Sequence, residues 1–238
     1  MRPVRLNLTM ASLFAVGSAC FAIGSVPAYA NAVGAATDSV TFFAGSLFFT
    51  AASYLQLVQA QTPSMTGVDE TAQHVPSRLT LWAWRPHDRA WSAAAVQFPG
   101  TLFFNVSTLA ALAHNASVQQ QNRHVWRPDV FGSTLFLVAS VLAVLAVREQ
   151  PAGSPRTWAA AIGWVNLAGS VFFMASALGS FVLPSTGQLV DVPLAVGGTL
   201  LGALCFLLGA VLLLPAWHAG VVAATPRALT PIDTRSPT

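Results

Sequence analysis

Few residues in this sequence have the types and spacing that catalysis or metal binding requires. His87 and Asp88 are adjacent and would suit an acid–base pair, but they lie in a segment rich in arginine and tryptophan, where a solvated contact is the simpler interpretation. The other histidines are scattered, and no two stand four residues apart, the spacing that puts two metal ligands on one helix face. The sequence therefore predicts no catalytic, cofactor-binding or metal-binding residue.

The two cysteines, Cys20 and Cys205, do not alter this prediction. Each lies inside an apolar segment, and two cysteines so placed form neither a metal-ligand cluster nor a disulfide framework. The polar residues inside the apolar segments are chiefly Gln56, Gln97, Asn105 and Asn166. No segment has an ionisable residue at its centre, where ion and proton paths usually have one, and this argues against a proton-coupled pump.

The composition indicates a membrane protein. Of the 238 residues, 54% are hydrophobic and only 8% are charged, whereas a soluble domain has about 25% charged residues. The net charge of +3 comes from arginines that stand singly in loops, which excludes a nucleic-acid-binding stripe. Arginine without lysine, together with abundant alanine, indicates a GC-rich genome and hence a bacterial source.

The chain contains six apolar segments of about the 20 residues that a helix needs to cross a bilayer. The sequence predicts transmembrane helices over 6–28, 39–60, 92–114, 129–147, 157–183 and 192–217. Pro99 is expected to kink or break the third of them. Residues 1–30 also resemble a secretory signal peptide that ends in Ala28-Tyr29-Ala30. We favour a helix there because the segment carries the repeat described next.

Every segment contains a glycine followed by a small hydroxyl residue at +1, Phe at +4 and, in most copies, Ser or Thr at +8. The copies begin at Gly17, Gly45, Gly100, Gly132, Gly169 and, in a weak form with Gly202 in place of Phe, Gly198. Residues four apart share one helix face, and small residues let transmembrane helices approach closely. The repeat therefore predicts packing faces. A polar pathway lined by the hydroxyls is the alternative.

The spacing of the repeat predicts that the helices are grouped in pairs. Successive glycines are 28, 55, 32, 37 and 29 residues apart, so short gaps join helices 1 and 2, 3 and 4, and 5 and 6. The fold class predicted is an all-α bundle of six transmembrane helices, built as three tandem helical hairpins over 6–60, 92–147 and 157–217. Together they form a single domain over 1–217.

The arginines predict the orientation of this bundle. With both termini inside, nine arginines lie on the inner side and only Arg123 and Arg127 on the outer side, a clear positive-inside bias. The nine are Arg2, Arg5, Arg78, Arg85, Arg89, Arg148, Arg156, Arg227 and Arg235. Six of the tryptophans lie near segment ends, as the membrane interface favours.

Three aspartates, Asp38, Asp129 and Asp191, are predicted to cap helices that begin on the outer side. A ring of carboxylates that attracts cations is the alternative. Gln97, Asp129 and Asn166 each precede a repeat glycine by three residues, but they lie at different depths and form no shared site.

The longest connection, residues 61–91, is predicted to lie on the cytoplasmic side. Its second half, 78–91, mixes arginine with tryptophan, a composition suited to the lipid headgroup region. We interpret it as an interfacial connector or as the site of a protein partner. The tail 218–238 is rich in Pro, Thr and Arg and is predicted to be disordered.

The repeated Gly-Ser-x-x-Phe helices resemble YrhK-type proteins, small helical-hairpin proteins of bacterial membranes. The clearest match runs from Trp126-Arg127-Pro128-Asp129 to Ser140, and 38–53 and 97–108 are similar. This chain differs in having three hairpins. The resemblance implies an integral membrane protein without an established activity, and it assigns no functional residues.

These observations lead to one functional expectation and one alternative. We expect a non-enzymatic multi-pass protein of the bacterial plasma membrane, without cofactors. Its partners would be the lipid bilayer and a protein that binds residues 78–91, and it would have a structural or interaction role. The alternative is a transporter or channel for a small solute, lined by Ser, Thr, Asn and Gln faces.

Overall fold

The computed structural model describes residues 3–62, 79–148 and 156–224 of the chain. In chain order its helices are α1 (Pro3–Gly24), α2 (Pro27–Gln61), α3 (Arg89–Ala110), α4 (Val118–Gln121), a π-helical turn (Asn122–Trp126), α5 (Arg127–Arg148), α6 (Arg156–Gly179) and α7 (Val192–Ala224). The described residues form no strand, apart from one isolated bridge between Val182 and Leu189. The fold is therefore all-helical, as predicted.

Five of the helical stretches are long and apolar enough to cross a membrane, judged by length and composition. They are 5–24, 27–61, 118–148, 158–179 and 192–216. Helix α3 has 22 residues, which is also enough for a crossing, but it is less apolar because it carries Gln97 and Asn105. The structure thus has five to six long apolar helices compatible with a membrane bundle.

Several helix boundaries differ from the prediction. Helix α2 begins at Pro27 and is broken at Gly34, whose φ of 81° only glycine adopts easily. Helix α3 continues through Pro99 and ends at Ala110. Helix α6 ends at Gly179, and α7 continues to Ala224, past the predicted end at Trp217. Residues 225–238 of the predicted tail lie outside the described residues.

The six long helices form a closed ring. Helix α1 contacts α2, and the contacts continue through α3, α5, α6 and α7 back to α1. Helices α2 and α3 are antiparallel, because Ser46 pairs with Thr108 whereas Gln56 pairs with Gln97. The helices within each hairpin are antiparallel too, since the glycine of each contacts the phenylalanine four residues after the glycine of the other. The connections α1–α2, α3–α4 and α6–α7 therefore lie at one end of the ring, the connection end. The N-terminus of α1 lies at the other, the terminal end.

Glycines mark the closest helix contacts. Gly17 faces Gly45 between α1 and α2, and the corresponding contacts are Gly100 with Gly132 and Gly169 with Gly202. A methyl group on Gly45 would lie 2.8 Å from Cβ of Cys20 and 3.1 Å from the carbonyl oxygen of Gly17. These backbones can approach so closely only because neither residue has a side chain.

The phenylalanine of each copy packs on the glycine of its partner helix. A methyl group on Gly17 would lie 2.9 Å from the ring of Phe49, and one on Gly45 would lie 3.0 Å from the ring of Phe21. The other two pairs repeat this reciprocal contact. The Gly and Phe positions of the repeat are therefore the two halves of one packing unit.

The sixth copy of the repeat begins at Gly202, and the predicted start at Gly198 is wrong. Phe206 stands at +4 from Gly202 and is buried with the other phenylalanines, and Ala203 occupies the fully buried +1 position. The glycine of this copy also faces Gly169, its partner in α6. The interpretation of Gly202 as a replacement for the repeat Phe is therefore corrected, and the spacing from Gly169 to the glycine of the sixth copy becomes 33 residues.

Six phenylalanine rings, one from each long helix, fill the centre of the ring of helices. They are Phe21, Phe49, Phe104, Phe136, Phe173 and Phe206, and each is at most 7% exposed. Neighbouring ring centroids are 5.1 to 6.4 Å apart, mostly edge to face, a favourable arrangement for aromatic rings. The space between the rings is too small for a water molecule.

Candidate functional sites

The hydroxyls of the repeat lie between the helices, and two pairs of them bond to each other. Ser46 and Thr108 join α2 to α3 at 2.9 Å, and Ser140 and Ser170 join α5 to α6 at 2.7 Å. All five hydroxyls at the +1 position are fully buried, and they lie beside the phenylalanine cluster. This arrangement suits helix packing, and among the described residues it leaves no room for water between the central rings.

The contact between α2 and α3 also carries polar pairs farther from the centre. The Thr50 hydroxyl donates to Oδ1 of Asn105 at 3.1 Å, and Nε2 of Gln97 donates to Oε1 of Gln56 at 3.3 Å. All four side chains are half-buried. Together with Ser46 and Thr108 they form a polar seam, defined here as these six residues, along most of the α2–α3 contact.

The fourth predicted polar residue, Asn166, has a different role. Its carbonyl oxygen accepts from the hydroxyl of Ser170, and its side-chain amide occupies the space where a Cβ on Gly209 would stand. Asn166 thus packs against α7 and takes no part in the polar seam. Gln97 bonds to α2, so Gln97 and Asn166 lie at different helix contacts.

The segment 79–91, called here the Trp/Arg loop, is held at the terminal end by the last residues of α2. The side chain of Gln61 accepts from the backbone N–H of Ala83 at 2.7 Å and donates to the carbonyl oxygen of Leu81 at 3.2 Å. The hydroxyl of Thr62 accepts from the backbone N–H of Thr80. Gln61 and Thr62 are each 1% exposed, so they form a buried anchor for the loop.

The Trp/Arg loop exposes two large aromatic side chains. Trp82 is 77% exposed and Trp84 is 74% exposed, although the Trp84 ring also contacts Trp91 edge to face at 5.4 Å. Trp91 is buried against Leu57 and Ala94. The loop therefore has one side fixed to the bundle and presents Trp82 and Trp84 outward. Residue 78 of the predicted segment lies outside the described residues.

Of the three predicted helix caps, only Asp191 has that role. Oδ1 of Asp191 accepts from the backbone N–H of Leu194 at the start of α7. Asp129 lies inside a continuous helical stretch that begins after the capping residue Ser117. Asp38 lies within α2, and its Oδ1 is buried without a hydrogen-bond partner in the described part of the chain. The capping prediction is therefore wrong for Asp38 and Asp129.

Asp88 is the cap that the sequence reading missed. Its carboxylate accepts from the backbone N–H groups of Ala90 and Trp91 at the start of α3. The neighbouring His87 is exposed. Asp88 belongs to the His87–Asp88 pair considered above for acid–base chemistry, and in the structure it is a helix cap. Over 3–62, 79–148 and 156–224, no three His, Cys, Asp or Glu side chains group together as a metal site requires.

The connection end is tied together by Asn122, which the sequence pattern did not single out, and by Trp126, which begins the segment that resembles YrhK-type proteins. The side-chain amide of Asn122 bonds both the N–H and the carbonyl oxygen of Val182, and the indole N–H of Trp126 donates to the carbonyl oxygen of Ala177. An open groove of about 630 Å³ beside them is lined by His114, Asn115, Gln120 and His124 among others. The only signal for Asn122 in the sequence is that an asparagine follows three consecutive glutamines.

Comparisons with protein-family models, with curated proteins and with solved structures find no match to this chain. The resemblance to YrhK-type proteins stays a prediction from the residues.

Proposed function

We propose that this chain is a non-enzymatic, YrhK-like integral protein of the bacterial plasma membrane, with a structural or interaction role. It crosses the membrane six times as three hairpins, with both termini in the cytoplasm. The three short connections at one end and the Gly–Gly contact within each helix pair support this arrangement. Arg5, Arg85, Arg89 and Arg148 belong to the terminal end, which favours its placement inside.

The working surface in this proposal is the Trp/Arg loop. The observation that carries it is the combination of a buried anchor with two outward tryptophans. Gln61 and Thr62 fix the loop backbone and the Trp84 ring packs on Trp91, so the backbone positions from which Trp82 and Trp84 project are set before any partner binds. Preorganised aromatic side chains are typical centres of protein interfaces, because they bury a large area at a small entropy cost.

Site-specific photocrosslinking in native membranes tests this surface. A photoreactive amino acid at position 82 should form a discrete adduct with one protein, and Arg85→Ala should weaken that adduct. The matched control is the same probe at Leu201, which is 46% exposed on α7 and should react with lipid only. Lipid adducts alone at both positions would overturn the partner proposal and leave the loop as an interfacial anchor.

A small-solute transporter or channel has less support. Such a protein needs a continuous polar cavity at mid-depth, whereas six phenylalanines occupy the centre of the described helices and leave no room for water. Reconstituted liposomes separate the two proposals. We expect solute flux equal to that of protein-free liposomes, and reproducible flux of any solute in a panel would favour transport.

A further inference from the structure

We propose that the polar seam between α2 and α3 is the surface through which two copies of this protein associate within the membrane. The inference requires the helices to be embedded in a bilayer, but it is independent of the partner proposed for the Trp/Arg loop. It rests on two observations. Each amide of the seam has one end without a hydrogen-bond partner in the described part of the chain, and the equivalent helix contacts lack such a seam.

The amides of the seam are only partly satisfied. Asn105 uses Oδ1, Gln56 uses Oε1 and Gln97 uses Nε2. Within the described part of the chain, the other end of each amide has no hydrogen-bond partner. The three side chains are half-buried, and the residues beside them are exposed and apolar, such as Leu47 and Leu102. In a bilayer these free N–H and C=O groups would face acyl chains, which cannot bond them.

Three contacts between hairpins are otherwise similar, those of α2 with α3, of α5 with α6 and of α7 with α1, and the seam occurs at the first of them. The repeat position five residues after glycine holds Thr50 and Asn105 at the α2–α3 contact. The same position holds Leu137 and Met174 between α5 and α6, and Leu207 and Ala22 between α7 and α1. Packing of the ring alone therefore does not require amides at this place. Three residues before the glycine, α3 has Gln97 and α6 has Asn166, but the Asn166 amide packs against Gly209 of α7 and not across the α5–α6 contact. Among these three contacts, only that of α2 with α3 therefore carries amides that bond across it in the described residues, which indicates a second task for that side of the ring.

A second copy is the occupant that the chemistry fits. Two copies in one membrane share the same orientation, so a two-fold axis along the membrane normal brings each residue to the depth of its own counterpart. Asn105 would meet Asn105 of the other copy, and the Gln56–Gln97 pair would meet its counterpart about 12 Å deeper, eight residues along α3. An amide has both a donor and an acceptor, so such a pairing of like groups satisfies both partners.

The test measures association in liposomes by fluorescence energy transfer at a series of protein-to-lipid ratios. The variant combines Asn105→Leu, Gln56→Leu and Gln97→Leu, which keeps side-chain size. An intramembrane hydrogen bond is worth about threefold in an association constant, so the loss of several should lower the constant at least about tenfold. The matched control, Leu137→Ala with Met174→Ala at the equivalent contact, should leave it unchanged. An unchanged constant in the seam variant would overturn the proposal.

Cysteine crosslinking checks the interface without altering the amides. In a background with Cys20→Ala and Cys205→Ala, Leu102→Cys lies beside the seam, and Val171→Cys occupies the same repeat position on α6. Both native residues are exposed, at 43% and 51%. We expect a short thiol crosslinker to join two copies through position 102 and not through position 171. Crosslinks from position 102 to a different membrane protein, or equal dimer yields at both positions, would overturn self-association through the seam.

Discussion

The hydroxyls of Ser140 and Ser170 lie 2.7 Å apart across the contact of α5 with α6. They occupy the +8 and +1 positions of the repeat, as do Thr108 and Ser46 between α3 and α2. At the contact of α7 with α1 the corresponding residues are Ala210 and Ser18. The Ser18 hydroxyl is buried without a partner in the described part of the chain, because its counterpart has no polar atom.

This relationship predicts that Ala210→Ser stabilises the fold by about 0.6 kcal/mol, the average value of an intramembrane hydrogen bond. The new hydroxyl would give Ser18 the partner that Ser170 already has. Unfolding in mixed micelles would measure the change. The control is the same substitution in a Ser18→Ala background, where the gain should disappear. A gain that persists without the Ser18 hydroxyl would contradict this explanation.

The glycine contacts predict that Gly45→Ala destabilises the protein by about 1–3 kcal/mol, the usual cost of overpacking. The added methyl group would lie 2.8 Å from Cβ of Cys20, and the nearby Gly17 backbone cannot move aside easily. Gly197 is a matched control, since a Cβ there meets nothing within 4 Å. Gly197→Ala should be neutral or stabilising by up to about 1 kcal/mol through helix propensity. Equal effects in thermal unfolding would refute the close-contact explanation.

The aromatic centre predicts a large effect for Phe136→Ala. Phe136 is 2% exposed and its ring contacts those of Phe49, Phe104 and Phe206. We expect the free energy of unfolding to fall by about 3 kcal/mol, near the lower end of the range for Phe→Ala substitutions. The reason is that bilayer helices gain little from apolar burial as such. Phe48, 37% exposed on the outer face, is the control and should lose less than about 1 kcal/mol. Equilibrium unfolding would show whether the two variants differ.

The buried anchor predicts that Gln61→Leu loosens the Trp/Arg loop while the helices remain intact. The substitution removes the acceptor for the N–H of Ala83 and the donor for the carbonyl oxygen of Leu81. Local opening exposes a backbone to proteases, so chymotrypsin should cleave after Trp82 several-fold faster. Gln59→Leu removes a bond to Asn7 instead and should leave the cleavage rate unchanged. The same rate in both variants would mean that Gln61 does not hold the loop.

The proposed orientation predicts opposite accessibility of the two ends of the ring. In a cysteine-free background, Asn115→Cys at the connection end should react with a membrane-impermeant maleimide in intact cells. His87→Cys at the terminal end should react only after permeabilisation. Both native residues are exposed, so a lack of labelling would not result from burial within the protein. The reverse pattern would place both termini outside.

The sequence by itself determined the helical class, the six segments and the faces on which they pack. Each of these follows from local properties: apolar length, the four-residue spacing of the repeat, and small residues at contact positions. The break at Gly34 and the early start of the helix that leads into α5 were not predicted, since the segments at the connection end carry no strong apolar pattern. The cap at Asp88 was missed because a carboxylate in a polar loop has many equivalent uses.

The tertiary structure decided which copies meet and in which register. Gly198 and Gly202 lie four residues apart on one face of α7, so spacing alone allows either to begin the sixth copy. The choice depends on Phe173 and Gly169 of α6, which contact Gly202 and which lie far away in sequence. The closed ring, the buried anchor at Gln61 and the polar seam likewise consist of pairs between separate helices. A periodic pattern defines the face of one helix, but the partner of that face depends on the packing of all six.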